Sequence, residues 1–192
     1  MAEIIEQFRL EDVNKAPAFF DIAKLEHFNG VYIRELETDE LLAALAPFLE
    51  SDEVPWPPER YRPDVVAAMV PLVQEKLRTL DGIVPQVDWL FCPEVSMDEA
   101  SWDKAVVRGK AAAEILDGTI AALGDCPWDP DTVKDAVFAV GEAHGVNRSK
   151  TQAPVRVAVT GRSVGPPLFE PMVNHLTREE VLRRLQAARS RL

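Results

Sequence analysis

Cysteine, histidine and tyrosine are scarce in this 192-residue chain, at 2, 3 and 2 copies. Cys92 and Cys126 are too few and too far apart for a disulfide framework or a zinc site, so both are expected to be free, buried thiols. His27, His144 and His175 show no metal-ligand spacing, and His27 beside Glu26 reads as a surface or packing residue. There is no glycine-rich nucleotide cradle and no lysine-bearing phosphate loop. Ser96, Ser101 and Ser163 lack the context of a nucleophile elbow, and the many carboxylates single out no acid/base pair. No residue therefore has a catalytic claim, and no metal or cofactor is implied. No apolar run approaches the roughly 18 residues of a membrane span. The opening MAEIIEQF carries acids where a secretion signal would be basic, so the expected location is the cytoplasm. Internal repeats and low-complexity linkers are also missing.

What is present is an ordinary globular composition, 47% hydrophobic and 28% charged, long enough for one substantial core or two small ones. The charge is unevenly placed. From Ala143 to Leu192 nine Arg or Lys stand against three Glu, a local +6, so the remainder must carry −17 to reach the total of −11. No acid lies between Glu142 and Glu170, a stretch that holds Arg148, Lys150, Arg156 and Arg162. Such an end faces a polyanion on a chain that otherwise repels nucleic acid. Within it Gly161, Gly165, Pro166 and Pro167 predict a rigid, tightly turned loop that holds Leu168 and Phe169 as an apolar wedge for unstacked bases.

Apolar periodicity predicts helices almost throughout. Residues 2–8 fit a short helix or the frayed end of a longer element. Pro17 opens a second that Asn29-Gly30 stops, and Thr38 with Asp39 and Glu40 begins a third that gives out near Ser51. Pro55-Trp-Pro-Pro58 forces an extended connection and leaves Trp56 as a candidate exposed contact. Residues 63–80 read as a helix with a kink or break at Pro71; residues 84–91 fit a helix or a strand equally by periodicity. A long helix is expected over 103–123, another over 131–143, then the loop. Thr177 with Glu180 makes a capping box for a last helix to Arg189. The fold class is all-α, in two helical parts, 1–95 and 96–192, meeting in the region 91–102.

The run Val13-Asn-Lys-Ala-Pro-Ala-Phe-Phe-Asp-Ile-Ala-Lys-Leu-Glu-His-Phe-Asn-Gly-Val-Tyr-Ile-Arg34 resembles the segment that follows the second ATP signature of bacterial-type glutamyl-tRNA synthetases. Gln152-Ala-Pro-Val-Arg-Val-Ala-Val-Thr-Gly161, with Pro167-Leu-Phe-Glu170 and the Arg-rich final helix, resembles the anticodon-binding part of the same class I enzymes. The resemblance covers nearly the whole chain and lacks the catalytic half. It implies a helical stem-contact region followed by a helical anticodon-binding domain, either excised or free-standing, that binds tRNA(Glu) as a monomer and does not charge it. In a full-length protein a catalytic half would be its partner.

By that resemblance, the arginine that reads the third anticodon base falls on Arg156, and the turn packed around the base falls on Gly165, Pro166, Leu168 and Phe169. Lys76 stands where many members have an arginine that distinguishes the final anticodon cytosine from guanine; lysine keeps the charge and loses the bidentate fork. Gly165 replaces a threonine found in some relatives, leaving backbone alone for contact there. Arg34, Arg148, Lys150, Arg162 and Arg183 are candidate contacts to tRNA phosphate. Tyr32 shares the motif of Arg34, while Lys15 and Lys24 are weaker candidates. The competing reading is an acidic helical interaction module whose basic end binds an acidic partner and whose contact is Trp56 or another surface patch.

Overall fold

The computed structural model describes residues 2–9 and 20–192, and every regular element among them is helical. Pro17, where a helix start is expected, and Lys15 lie outside the described residues. Helix α1 is Ala2–Gln7. Helix α2, Ile22–Glu35, starts on Asp21, whose carboxylate accepts the Lys24 N–H at 3.0 Å. Contrary to expectation α2 runs through Asn29-Gly30. Gly30 is buried where α2 crosses the chain near Leu77: a Cβ there would sit 3.2 Å from the Leu77 carbonyl oxygen. This glycine serves close approach, not termination.

Helix α3, Thr38–Leu49, buries Leu41, Leu45 and Leu49 on one face. The Pro55–Pro58 connector folds inward: Trp56 is only 3% exposed and stacks with Tyr61 at 6.2 Å and edge-on against Phe91 at 5.2 Å. The exposed Trp56 expected above is therefore corrected. Helix α4, Pro63–Val73, ends two residues beyond Pro71 and tightens into a 3₁₀ turn, Gln74–Lys76. Residues 84–91 are helical, α5 being Val84–Phe91, with Val87, Trp89, Leu90 and Phe91 buried.

The long helix expected over 103–123 is broken. Helix α6, Glu99–Trp102, passes into a π turn at Asp103–Val107, where the Arg108 N–H donates to the Asp103 carbonyl. Ala111 then takes a left-handed φ of 55° before α7, Ala112–Asp125. Helix α8 is Pro130–Ala143.

The largest correction concerns the basic stretch. Residues expected as loop form a helix, α9, Arg148–Thr160, capped by the Asn147 side chain and closed by Gly161 at φ 77°. It lies against α6, α7, α8, the π turn and the final helix, and buries Thr151, Pro154, Val155 and residues 157–160. After α9 only the segment 161–168 is loop before the next helix. Helix α10, Phe169–His175, and α11, Arg178–Arg191, complete the chain. Thr177 caps α11 by accepting the Glu180 N–H at 3.2 Å. The second half of the expected box is absent: the Glu180 carboxylate turns instead to Arg184 and Arg60. Both cysteines are free; Cys92 is buried as expected, whereas Cys126 is only half-buried.

Candidate nucleic-acid interface

The loop after α9 is fastened at nearly every residue. The Gly161 carbonyl accepts the Asp98 N–H at 2.8 Å, and the Ser163 N–H donates to Ser101 Oγ at 3.0 Å. Arg162 forms an ion pair with Asp88 at 2.7 Å and also donates to the Pro85 carbonyl. At the far end Leu168 is 1% and Phe169 8% exposed, with Phe169 edge-on to Phe138 at 5.5 Å. Between these anchors Val164 is 78% exposed. Such fastening at both ends presents the tip in one conformation, so little ordering entropy is lost on binding.

Two cations converge on this tip. Arg156 Nη1 donates to the Pro166 carbonyl at 2.9 Å, and Lys76 Nζ lies 3.4 Å from the Gly165 carbonyl, 89 residues away in sequence. Arg156 is half-buried, and desolvation lowers its pKa below the ordinary arginine value. It stays charged. A partly desolvated guanidinium with N–H groups left over interacts more strongly with an incoming acceptor than one surrounded by water.

The fold thus brings together Arg156, Lys76, Gly165 and Pro166, and separates the other candidates. Arg162 is turned into the ion pair with Asp88, away from solvent anions. Leu168 and Phe169 are core residues that anchor the loop; as wedge residues they are corrected, because their side chains face inward. Arg148, with its guanidinium over the Phe138 ring at 5.2 Å, and Lys150 sit at the start of α9. At about 1.5 Å per residue that is roughly 9–12 Å from Arg156 along the helix axis. Arg183 donates to the Pro93 carbonyl beside Ala158, on the side of α9 opposite Arg156. Arg34 is exposed on α2 and lines a groove with Lys76.

The local +6 is also less free than the sequence count suggests. Arg162, Arg189 and Arg191 pair with Asp88, Asp117 and Glu99, acids outside the basic stretch, so part of its charge holds that stretch to other elements. Two features were missed from sequence. Val164 carried no signal, being one apolar residue in a loop. Arg184 did: it is an arginine at an apolar position of α11, buried at 4% exposure. Its guanidinium donates to the carbonyls of Trp89 and Val159 at 2.8 Å each and of Cys92 at 2.9 Å, and pairs with Glu180. It thereby satisfies carbonyls at the ends of α5 and α9, the helix that carries Arg156.

Residues 32–189 match the family described as "Anticodon binding domain". A glutamate–tRNA ligase from Frankia casuarinae is 48% identical over 191 residues, which are 99% of this chain and 40% of that protein. One from Salinispora tropica is 47% identical over 194 residues, covering 98% of this chain and 41% of that protein. The crystal structure of a glutamate tRNA ligase from Elizabethkingia meningosepticum superposes with a TM-score of 0.68 at 22% identity, over 98% of this chain and 36% of that one, and so shares the fold. The chain belongs to the anticodon-binding domain family. Its form of that domain is the C-terminal one of the bacterial-type glutamate–tRNA ligases, class I aminoacyl-tRNA synthetases. The chain spans about 40% of the length of the curated relatives it matches. Among the described residues no helix is long and apolar enough to cross a membrane.

Proposed function

We propose that the chain binds tRNA(Glu) through its anticodon, in the cytoplasm, as the RNA-reading part of glutamate–tRNA ligation, with parts 1–95 and 96–192 both lining the interface. The observation that carries this reading is the convergence of Lys76 and Arg156 on adjacent carbonyls, Gly165 and Pro166, of one fastened loop. Arg156 reads the third anticodon base with the N–H groups that Pro166 does not take, while the Gly165-Pro166 backbone packs around that base. Lys76 supplies charge and a single-point donor at the final anticodon cytosine. Arg162, Leu168 and Phe169 hold the loop in shape. Arg34, Arg148 and Lys150 meet phosphate, whereas Arg183 faces Pro93 on the far side of α9.

The test replaces Arg156 with lysine and measures binding to a glutamate-tRNA anticodon hairpin and to one changed only at the third anticodon base, at fixed salt. The charge survives and the fork does not, so the preference between the two RNAs should shrink by about 1–3 kcal/mol. Arg148→Ala should weaken both RNAs alike. Equal weakening of both RNAs by Arg156→Lys would show that Arg156 does not read the base. The competing module reading offered Trp56 or another surface patch as its contact, and the burial of Trp56 removes the first of these.

A further inference from the structure

We infer that a groove between α2 and the segment Gln74–Arg78 is a phosphate-binding track for the RNA backbone that leads away from the anticodon loop, with Arg78 as a binding residue beside Arg34 and Lys76. This extends the proposed anticodon reading and rests on it. The groove has a volume of about 280 Å³ and is lined by Arg34, Lys76 and Arg78 together with Glu26, His27, Gly30 and Glu75. All three cations are exposed. Among the described residues none of them forms an ion pair, although two carboxylates line the same groove. What distinguishes the place is that three such cations line one groove. One end of the groove is already tied to the proposed site, since Lys76 Nζ reaches the Gly165 carbonyl at 3.4 Å.

The groove is built, not incidental. Gly30 lets α2 approach so closely that an added Cβ would lie 3.3 Å from Arg34 Nη1 and 3.6 Å from Arg78 Cα, so both arginines border the space that the missing side chain leaves. Asn29 Nδ2 donates to the Arg78 carbonyl at 2.6 Å, and Gln74 Nε2 donates to the Ile33 and Leu36 carbonyls at 3.0 and 2.8 Å. These bonds lock the two walls in register. Three cations in a polar groove fixed by backbone contacts suit a chain of phosphates, because phosphate contacts set register and need no base edge. Glu26 and Glu75 lower the field and so limit binding to RNA that also engages the loop.

The test uses the whole chain and the anticodon hairpin, with binding measured over a series of salt concentrations. Arg34→Ala and Arg78→Ala truncate exposed side chains and leave the locking bonds in place. Each should lower the slope of log K against log salt by about 1 and, at 0.1 M salt, weaken binding roughly eightfold, leaving the preference for the third anticodon base unchanged. Glu75→Gln should tighten binding, a gain that misfolding does not produce. If these three variants bind with unchanged affinity and slope while Arg156→Lys still erodes base preference, the track is wrong and the anticodon reading stands. If the slopes fall as expected while base preference ignores Arg156, the track stands and the reading of Arg156 falls. A parent chain that does not bind the hairpin overturns both.

Discussion

Replacing Arg184 with alanine is expected to destabilise the protein more than any other single truncation of a charged side chain. The guanidinium is buried and donates to three carbonyls, those of Trp89, Cys92 and Val159, and to the Glu180 carboxylate. Burial lowers its pKa, and the facing Glu180 opposes that shift. Alanine leaves the three carbonyls without this donor and removes one of Glu180's two arginine partners, the less exposed one. Removing one partner of a buried, hydrogen-bonded pair costs about 3–5 kcal/mol. For a chain of this size that corresponds to a fall in Tm of roughly 6–20 °C. Arg189→Ala is the comparison: its ion pair with Asp117 at 2.8 Å is exposed, and such pairs contribute about 0–1 kcal/mol. Thermal or denaturant unfolding of the two variants settles the matter, and an Arg184→Ala loss no larger than that of Arg189→Ala would show that the buried guanidinium does not join the two helix ends.

Gly161→Ala should be nearly as damaging, for a different reason. Gly161 has φ 77°, and a Cβ there would fall 2.1 Å from the Ser96 carbonyl oxygen. The left-handed backbone alone costs alanine about 1–2 kcal/mol, and forcing a packed neighbour aside typically adds about 1–3 kcal/mol. Gly145 separates the two contributions, because its φ is 64° and nothing lies within 4 Å of an added Cβ. Gly145→Ala is expected to show only the conformational cost; the excess at Gly161 measures the collision with Ser96. The same collision strains the hydrogen bond from the Asp98 N–H to the Gly161 carbonyl, which starts the fastened loop. Hairpin affinity should therefore fall with stability in Gly161→Ala and stay near the parent value in Gly145→Ala. Equal destabilisation by the two changes would mean that the Val95–Ser96 segment yields freely.

Much of the helical order was legible because amphipathic spacing reports burial of one face. α3, with Leu41, Leu45 and Leu49 on that face, is the plain case. α9 hid for the opposite reason: buried nearly all round in its second half, it shows no polar face, and Pro154 and four basic residues in 147–162 read as loop chemistry. Its ends were nonetheless written in the sequence, as Asn147 at the N-cap and Gly161 at the C-cap. Trp56 was misplaced because a proline cluster predicts local extension and says nothing about which core the connector crosses. The break at Ala111 and the π turn before it arise from packing between elements, which periodicity within one element does not register. At the candidate site Arg156, Gly165 and Pro166 are close in sequence, whereas their meeting with Lys76 depends on how α4 and α9 are placed. Resemblance named those four residues; only the fold puts them within hydrogen-bond reach.

The central claim is that the tip of the loop after α9, held by Lys76 and Arg156, is where the anticodon lands. It is tested most directly by titrating the isotopically labelled chain with a glutamate-tRNA anticodon hairpin and following its backbone amide resonances. The account predicts that the largest shifts fall on Ser163, Val164 and Gly165 and on the residues beside Lys76, and that a hairpin with an altered third anticodon base produces smaller ones. Shifts confined to the surface around Arg183 and Pro93, with the amides of the loop tip unmoved, would contradict it.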